Sequence, residues 1–281
     1  MNIYVGFAFL SAFLWAIMNI FDKLIIDKKV KFSFSFMAVS GIINALAGAI
    51  IISVFGVSFT NVHYLIITGI LYGIQAIIYY YLLSKMDASH VIGLIFTYPI
   101  LMAPIAFLWL GETLSFAGYV GLLFCVIGAI SMMTKFDRKF KIIVYVLIGI
   151  NALNITIQEL ILKVATNHFS VIETVGVNSL FMGLTLICVL FYKTARVNFR
   201  KELVNMKYSL GSEIVTLFAI GTLFLSLIGL KTTVAAGIDS VQPAIVLGLE
   251  AVFFRNMVKS VDWKQKIRSV ILITIGLLLL L

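Results

Sequence analysis

The sequence predicts an all-α integral membrane protein with ten transmembrane helices, arranged as a 5+5 inverted-topology repeat. Its 281 residues are 62% hydrophobic and only 12% charged, with a mean hydropathy of +1.12, which is far more apolar than a soluble domain. Apolar stretches of about 18 residues or more recur from end to end, as expected for membrane-spanning helices. A short charged segment, 134–141, lies near the middle, with five apolar stretches on each side.

The apolar stretches place the ten helices in order along the chain. They are expected at residues 3–21, 34–54, 64–83, 91–110, 116–133, 142–162, 171–192, 210–230, 238–254 and 267–281. The first stretch lacks the basic start and the small-residue cleavage site of a signal peptide, so we interpret it as a true span. The chain then divides into a first five-helix repeat at 1–133, a charged connecting loop at 134–141 and a second five-helix repeat at 142–281.

The two halves share residues at a constant spacing. A shift of 135 residues superposes Phe34, Ser35, Gly41 and Gly48 on Phe169, Ser170, Gly176 and Gly183, and a shift of 136 superposes 22–26 on 158–162. Proline is confined to the fourth and ninth spans, where we expect Pro99 and Pro243 to kink the helices. Because each unit has an odd number of spans, the second copy enters the membrane inverted. Many secondary transporters have this architecture, with the substrate site near the midplane.

The distribution of Lys and Arg predicts the orientation. Of 21 such residues, 19 fall on one side of the predicted membrane, and only Lys163 and Lys231 fall on the other. Cytoplasmic loops collect basic residues, so we expect a multi-pass protein of the cell (plasma or inner) membrane with loop 134–141 in the cytoplasm and both termini outside. This explains the net charge of +9 without a nucleic-acid partner.

The sequence contains no motif for a cofactor, a metal or catalysis. Cys125 and Cys188 fall inside predicted helices and are interpreted as packing residues, and the three histidines are scattered at helix ends. HExxH, GxSxG and nucleotide-binding loops are absent from the sequence. Asp22 and Asp27 only faintly suggest the aspartate-rich motifs of membrane prenyltransferases, and no second acidic motif accompanies them. We therefore expect neither an enzyme nor an ATP-driven pump.

One stretch carries a family resemblance, with a proline early in span four, a Gly-Glu pair at its end and a glycine-rich span five. The residues are Tyr98-Pro99-Ile100, Trp109-Leu110-Gly111-Glu112-Thr113-Leu114-Ser115, Gly118, Gly121 and Gly128-Ala129. This pattern resembles the EamA-like members of the drug/metabolite transporter superfamily. In the second half Pro243 fits the pattern, but the Gly-Glu pair is missing. The resemblance implies a ten-helix transporter of small metabolites.

Polar residues at helical spacing in spans one and six predict the substrate path. Span one carries Ser11, Trp15, Asn19 and Asp22, and span six carries Asn151, Asn154, Gln158 and Glu159. Span three adds Gln75 and Tyr79 on one face. We expect the cavity candidates to be Trp15, Asn19, Gln75, Tyr79, Asn151, Asn154 and Gln158. The alternative is that these groups only bond neighbouring helices to one another.

Carboxyl groups inside predicted spans are candidates for coupling, since a charge in hydrocarbon is costly and needs a reason. Glu250 lies well inside span nine and is a candidate proton carrier, and Asp22 and Glu159 are the other coupling candidates. The alternative for Glu250 is a structural ion pair with Arg255 or a lysine. Asp239 and Glu213 lie near predicted span ends and are expected to be solvated. Glu112 is expected to cap a helix or to gate the path.

The resulting expectation is a secondary transporter of small organic metabolites that works by alternating access, with the proton as candidate co-substrate. The alternative is a lipid carrier or flippase of the same fold, and an intramembrane enzyme is less favoured. The expected partners are a small-molecule substrate, the lipid bilayer and protons, and the protein is expected to be a monomer or a homodimer. Fold does not fix the substrate.

Overall fold

A computed structural model describes residues 2–85, 88–131, 142–253 and 263–281. Over these residues the chain forms thirteen α-helices and no strand. The helices are α1 Ile3–Lys28, α2 Ser33–Phe55, α3 His63–Leu83, α4 Ala88–Ile95, α5 Pro99–Leu110, α6 Phe116–Ser131, α7 Ile142–Ala165, α8 Val171–Ile187, α9 Lys193–Glu202, α10 Met206–Gly229, α11 Thr232–Asp239, α12 Gln242–Phe253 and α13 Trp263–Leu280. The charged loop at 134–141 lies outside the described residues.

Eight helical stretches of the described chain are long and apolar enough to cross a bilayer. They are α1, α2, α3, α7 and the stretches Val91–Leu110, Val171–Phe191, Lys193–Gly229 and Thr232–Leu249. The predicted fifth and tenth spans correspond to α6, a shorter apolar helix, and to α13, whose first turns contain Lys264, Lys266 and Arg268. The structure is thus that of an all-α multi-pass membrane protein, and the count of ten remains a prediction.

Three boundaries differ from the sequence prediction. Helix α1 continues to Lys28, so the charged residues that follow the predicted end at residue 21 belong to the helix. A basic helix, α9, precedes α10 and was not predicted from the apolar pattern. The ninth span begins at Thr232, six residues before its predicted start, because Lys231 ends the preceding loop. Of the two cysteines, Cys125 is buried and Cys188 is exposed, so only Cys125 is a packing residue.

Glycines allow the closest helix crossings. At the crossing of α2 and α8, a Cβ on Gly41 or Gly48 would overlap the backbone of α8, and a Cβ on Gly183 would overlap the backbone of α2. The crossing of α6 and α13 is similar, with Gly121 and Gly276 each against the carbonyl oxygen of the other. Small residues let transmembrane helices approach closely enough for dense van der Waals packing. Both crossings pair an element of the first half with one of the second.

Two membrane stretches are interrupted near their middles. Pro99 is the first residue of α5 after the turn that follows α4, and Pro243 is the second residue of α12 after the turn that follows α11. The backbone changes there to bonds between residues three apart, namely Thr97 to Leu94, Tyr98 to Ile95, Ser240 to Gly237 and Val241 to Ile238. Proline has no amide hydrogen to continue the helical ladder. The predicted kink positions therefore coincide with these turns.

The described basic residues are concentrated at one end of the bundle. Hydrogen bonds join the loops of this end. The side chains of Lys23, Asn205 and Gln265 donate to the carbonyl oxygens of Leu83, Lys29 and Ser131, and the backbone amide of Lys31 donates to the Glu202 carboxylate. At the opposite end Asn2 and Leu281 line one crevice together with Lys231. Lys163 donates there to the carbonyl oxygens of Leu227 and Leu230. Both ends of the chain therefore lie at the end that holds few cations.

Candidate functional site: a central polar cavity

A cavity lies at the centre of the bundle. Its wall is formed by α1, α3, α4, α7, α8, α10 and the two interrupted stretches. The lining residues are Trp15, Met18, Asn19, Asp22, Tyr72, Gln75, Ala76, Tyr79, Tyr80, Ile92, Ile95, Phe96, Tyr98, Ile155, Gln158, Glu159, Met182, Glu213, Thr216, Leu223, Asp239 and Gln242. The cavity thus combines apolar walls with a few convergent polar groups, as small-molecule sites do.

Seven of the residues singled out from the sequence line this cavity. They are Trp15, Asn19, Asp22, Gln75, Tyr79, Gln158 and Glu159. Helical spacing brings the first three to one face of α1, and α3 and α7 supply the others. The Trp15 ring stacks on Tyr72, with centroids 6.3 Å apart and an angle of 21° between the planes. Part of each polar stripe of spans one and six therefore lines this cavity, namely Trp15, Asn19 and Asp22 on α1 and Gln158 and Glu159 on α7.

Two other candidates, Asn151 and Asn154, do not line the cavity. The side-chain amide of Asn154 donates to the carbonyl oxygen of Leu71 on α3 at 2.9 Å, which is a bond between neighbouring helices. Asn151 is fully buried, and its amide has no hydrogen-bond partner in the described part of the chain. Glu250 belongs to α12, but its side chain lies outside what the structure describes. Its coupling role stays a prediction from the sequence.

The first polar group of the wall, here the Glu159 cluster, consists of Glu159, Tyr98 and Asp239. The Tyr98 hydroxyl lies 2.9 Å from Glu159 Oε1 and 3.2 Å from Asp239 Oδ2. Tyr98 is placed by the turn before α5 and Asp239 by the end of α11. The cluster therefore joins α7 to both interrupted stretches. All three side chains are at least nine-tenths buried.

The second polar group, here the Asp22 cluster, consists of Asp22, Ser212, Glu213, Asn44 and Ser209. The Ser212 hydroxyl donates to Asp22 Oδ1 at 2.6 Å. The Asn44 amide donates to Glu213 Oε2 at 2.6 Å, and the Ser209 hydroxyl donates to Glu213 Oε1 at 3.3 Å. These bonds connect α1, α2 and α10. Every carboxylate oxygen of Glu213 has a donor.

The structure corrects the expectation that Asp239 and Glu213 are solvated. Each is only 4% exposed, and both line the cavity. Helix α11 begins before the predicted span, so Asp239 ends a half-helix inside the bundle. Helix α10 begins at Met206, so Glu213 lies two turns inside it. An acidic residue shortly before the only proline of the ninth span was the signal that could have identified Asp239.

Several polar atoms of the wall are left without partners. Gln75 Oε1, the Tyr79 hydroxyl, Gln158 Oε1 and Glu159 Oε2 are buried and accept or donate no hydrogen bond within the described residues. Buried polar groups are normally paired, so these atoms are available to a bound molecule. Within the described part of the chain, the lining holds acidic and phenolic groups but no Lys, Arg or His.

Glu112, from the Gly-Glu pair, lies away from the cavity and caps α11. Its carboxylate accepts from the backbone amides of Thr232 and Thr233 at 2.9 and 3.3 Å and from both threonine hydroxyls. A carboxylate at a helix N-terminus satisfies amides that have no partner within the helix. The first half of the chain thus holds the half-helix whose other end carries Asp239.

Comparison with known proteins agrees with this architecture. Residues 2–134 match the model of the EamA-like transporter family, and no curated protein matches the chain. A solved structure described only as "Crystal structure of protein" aligns over 99% of this chain and 96% of its own, with a TM-score of 0.71 and 14% identity. That similarity shows a shared fold. The match to the EamA-like transporter family lies in the first half of the chain, which is the half that carries the proline and Gly-Glu pattern.

Proposed function

We propose that the protein is a secondary transporter that moves a small organic metabolite through the central cavity by alternating access, coupled to protons. The observation that carries this proposal is the position of the Glu159 cluster. Its members come from α7 and from the two interrupted stretches, at a cavity with unpaired polar atoms. Interrupted helices at the midplane are where secondary transporters bind their substrates.

The paired construction of the two halves supports alternating access. The crossings of α2 with α8 and of α6 with α13 are built from glycines on both partners, and the fourth and ninth predicted spans are both interrupted before α5 and α12. These features are what a 5+5 inverted repeat would produce. In such repeats one unit rocks against the other and exposes the site to each side in turn.

The geometry of the Glu159 cluster supports proton coupling. A phenol has one hydrogen, which Tyr98 can donate to only one of the two carboxyls at a time. The second contact becomes a hydrogen bond when the other carboxyl carries a proton and donates it to the phenol oxygen. The cluster thus provides a site for one shared proton between Glu159 and Asp239. Tyr72, which lines the same cavity, is a further titratable group near Glu159.

The proposed orientation of the protein in the membrane follows from the distribution of its Lys and Arg residues. The basic end, which includes α9 and the loop after α1, would face the cytoplasm, and the termini would lie outside, because cytoplasmic segments collect Lys and Arg. The residues from Trp15 to Asp22 on α1 then extend the cavity from mid-membrane toward the cytoplasm.

The test is uptake by purified protein in liposomes, with and without a pH gradient. The panel contains labelled amino acids, nucleosides, sugars, amines and lipids, and protein-free liposomes are the control. We expect saturable uptake of one solute class that collapses when an ionophore removes the gradient. Movement of lipid without any solute would favour the flippase, and no movement of either would contradict the proposal.

A further inference from the structure

We propose that the transported solute is an organic cation with N–H donors, a protonated amine, which binds between Glu159 and Asp239. This inference rests on the proposed transport function and names its substrate class. Three features of the cavity lead to it independently, namely its charges, its unpaired atoms and its aromatic walls.

The charged groups of the cavity favour a cation. Asp22, Glu159, Glu213 and Asp239 all line it, and none of them is more than 4% exposed. No basic side chain is found on this lining within the described residues. Buried charges need a partner of opposite sign, and a positively charged ligand supplies one. An anionic solute would meet only like charge.

The unpaired polar atoms specify the ligand further. Glu159 Oε2 and Gln158 Oε1 lack partners within the described residues, and both side chains are 2% exposed. Gln75 Oε1 is unpaired as well. Carboxylate and amide oxygens accept hydrogen bonds and cannot donate them. Their complement is a group that donates several hydrogen bonds, which a protonated amine does and a quaternary amine does not.

Aromatic side chains provide a surface for the rest of the molecule. Trp15 and Tyr72 stack on the wall, and Tyr79 and Phe96 also line the cavity. Aromatic faces attract organic cations, most strongly where water is excluded, and they also pack against an apolar body. An amine with an aryl or alkyl body fits both properties.

The same site explains exchange with protons. When the amine leaves, the shared proton of the Glu159 cluster takes its place between the two carboxyls, and when the amine enters, that proton is released. Binding of the solute and binding of the proton are therefore mutually exclusive, which is the condition for antiport.

The test is binding of labelled 2-phenylethylamine to the purified full-length protein in detergent micelles. Competitors share the phenyl body and differ in the end group, which is a trimethylammonium, an alcohol or a carboxylate. We expect the amine to bind about tenfold or more tightly than the alcohol, the trimethylammonium compound to bind more weakly than the amine, and the carboxylate not to compete. Equal binding of the alcohol or carboxylate would overturn the inference.

Variants test the position of the charge. Glu159→Gln should weaken amine binding by about 10- to 100-fold, the range for losing a charged hydrogen bond. The control is Glu173→Gln, because Glu173 belongs to a capping box with Ser170 in which glutamine also serves. Unchanged binding by Glu159→Gln would overturn the inference. If that variant does not fold, the competition series on the native protein still decides.

The two proposals fail in distinguishable ways. If amines neither bind nor move but another class of the liposome panel moves, the substrate inference is wrong and transport stands. If no solute of any class moves, the proposed function is wrong.

Discussion

The Asp22 cluster and the Glu159 cluster each bring two buried carboxyls to the same cavity, yet their hydrogen bonds differ. In the Asp22 cluster, hydroxyl and amide donors from Ser212, Asn44 and Ser209 satisfy the carboxylates. In the Glu159 cluster one phenol is shared between two carboxyls, and Glu159 Oε2 has no partner in the described chain. The Asp22 cluster, whose carboxylates accept from neighbouring helices while Asn44 Oδ1 has no partner in the described chain, is suited to hold helices together. The Glu159 cluster, with its unpaired carboxylate oxygen, is suited to bind a ligand.

The helices that each cluster connects support the same distinction. The Asp22 cluster connects α1, α2 and α10, none of which is interrupted. The Glu159 cluster connects α7 to the turns before α5 and after α11, where the backbone ladder is already broken. A ligand that binds there contacts the turns at which the α-helical hydrogen-bond ladder is interrupted.

The largest difference between variants of the two clusters is expected in the free energy of unfolding. Glu213→Ala removes the acceptor of the buried Asn44 amide and of the Ser209 hydroxyl, which keep only their contacts with Ser40, and each lost partner costs about 1–3 kcal/mol. We expect a loss of roughly 3 kcal/mol in the free energy of unfolding. Glu159→Ala removes one hydrogen-bond partner of the Tyr98 hydroxyl and also removes a like charge near Asp239. We therefore expect the free energy of unfolding to fall by about 1 kcal/mol or less. Equilibrium unfolding in mixed micelles measures both.

For uptake we expect the reverse order, with the larger loss in the Glu159 variant. At a temperature where both variants are folded, Glu159→Ala should lose gradient-driven uptake, while Glu213→Ala should retain most of it per folded molecule. If the two variants lose equal stability, or if Glu213→Ala alone abolishes uptake, the division into a structural and a ligand-binding cluster is wrong.

A smaller effect is expected from Tyr98→Phe. The change keeps the ring in its buried position and removes the hydroxyl that links Glu159 to Asp239. We expect about a tenfold loss of uptake driven by the pH gradient, equivalent to about 1.4 kcal/mol, with a weaker dependence on pH. Initial rates in liposomes across a pH series measure this.

Tyr80→Phe is the control for the phenol. Tyr80 lies beside Asp22, away from the Glu159 cluster, and the loss of its hydroxyl should leave the pH dependence of uptake unchanged. An identical change of the pH profile in both variants would contradict a special role for the Tyr98 hydroxyl.

The sequence predicted the membrane class and much of the cavity, because these depend on local periodicity. Trp15, Asn19 and Asp22 lie one turn apart, so any helix through them presents one polar face. Asp239 and Glu213 were missed because their burial depends on where α11 and α10 begin. Those starts are set by Lys231 and by the basic helix α9, which interrupt the apolar pattern. The cap that Glu112 provides for α11 joins residues 120 apart in the chain, which no local pattern reveals.

The smallest effect concerns two amides of α7 that the sequence does not distinguish. Gln158 lines the cavity with an unpaired Oε1, whereas Asn154 donates to the backbone of Leu71 outside it. We expect Asn154→Ala to leave the apparent KM of the transported solute within about twofold and to cost roughly 1 kcal/mol of stability, as for one buried hydrogen bond. Gln158→Ala should raise KM about tenfold, since one hydrogen bond to the ligand is lost. The two residues are one helical turn apart on α7. The contrary outcome is a raised KM in the Asn154 variant with no change in the Gln158 variant. It would mean that the substrate binds on the α3 side of α7 and not in the central cavity.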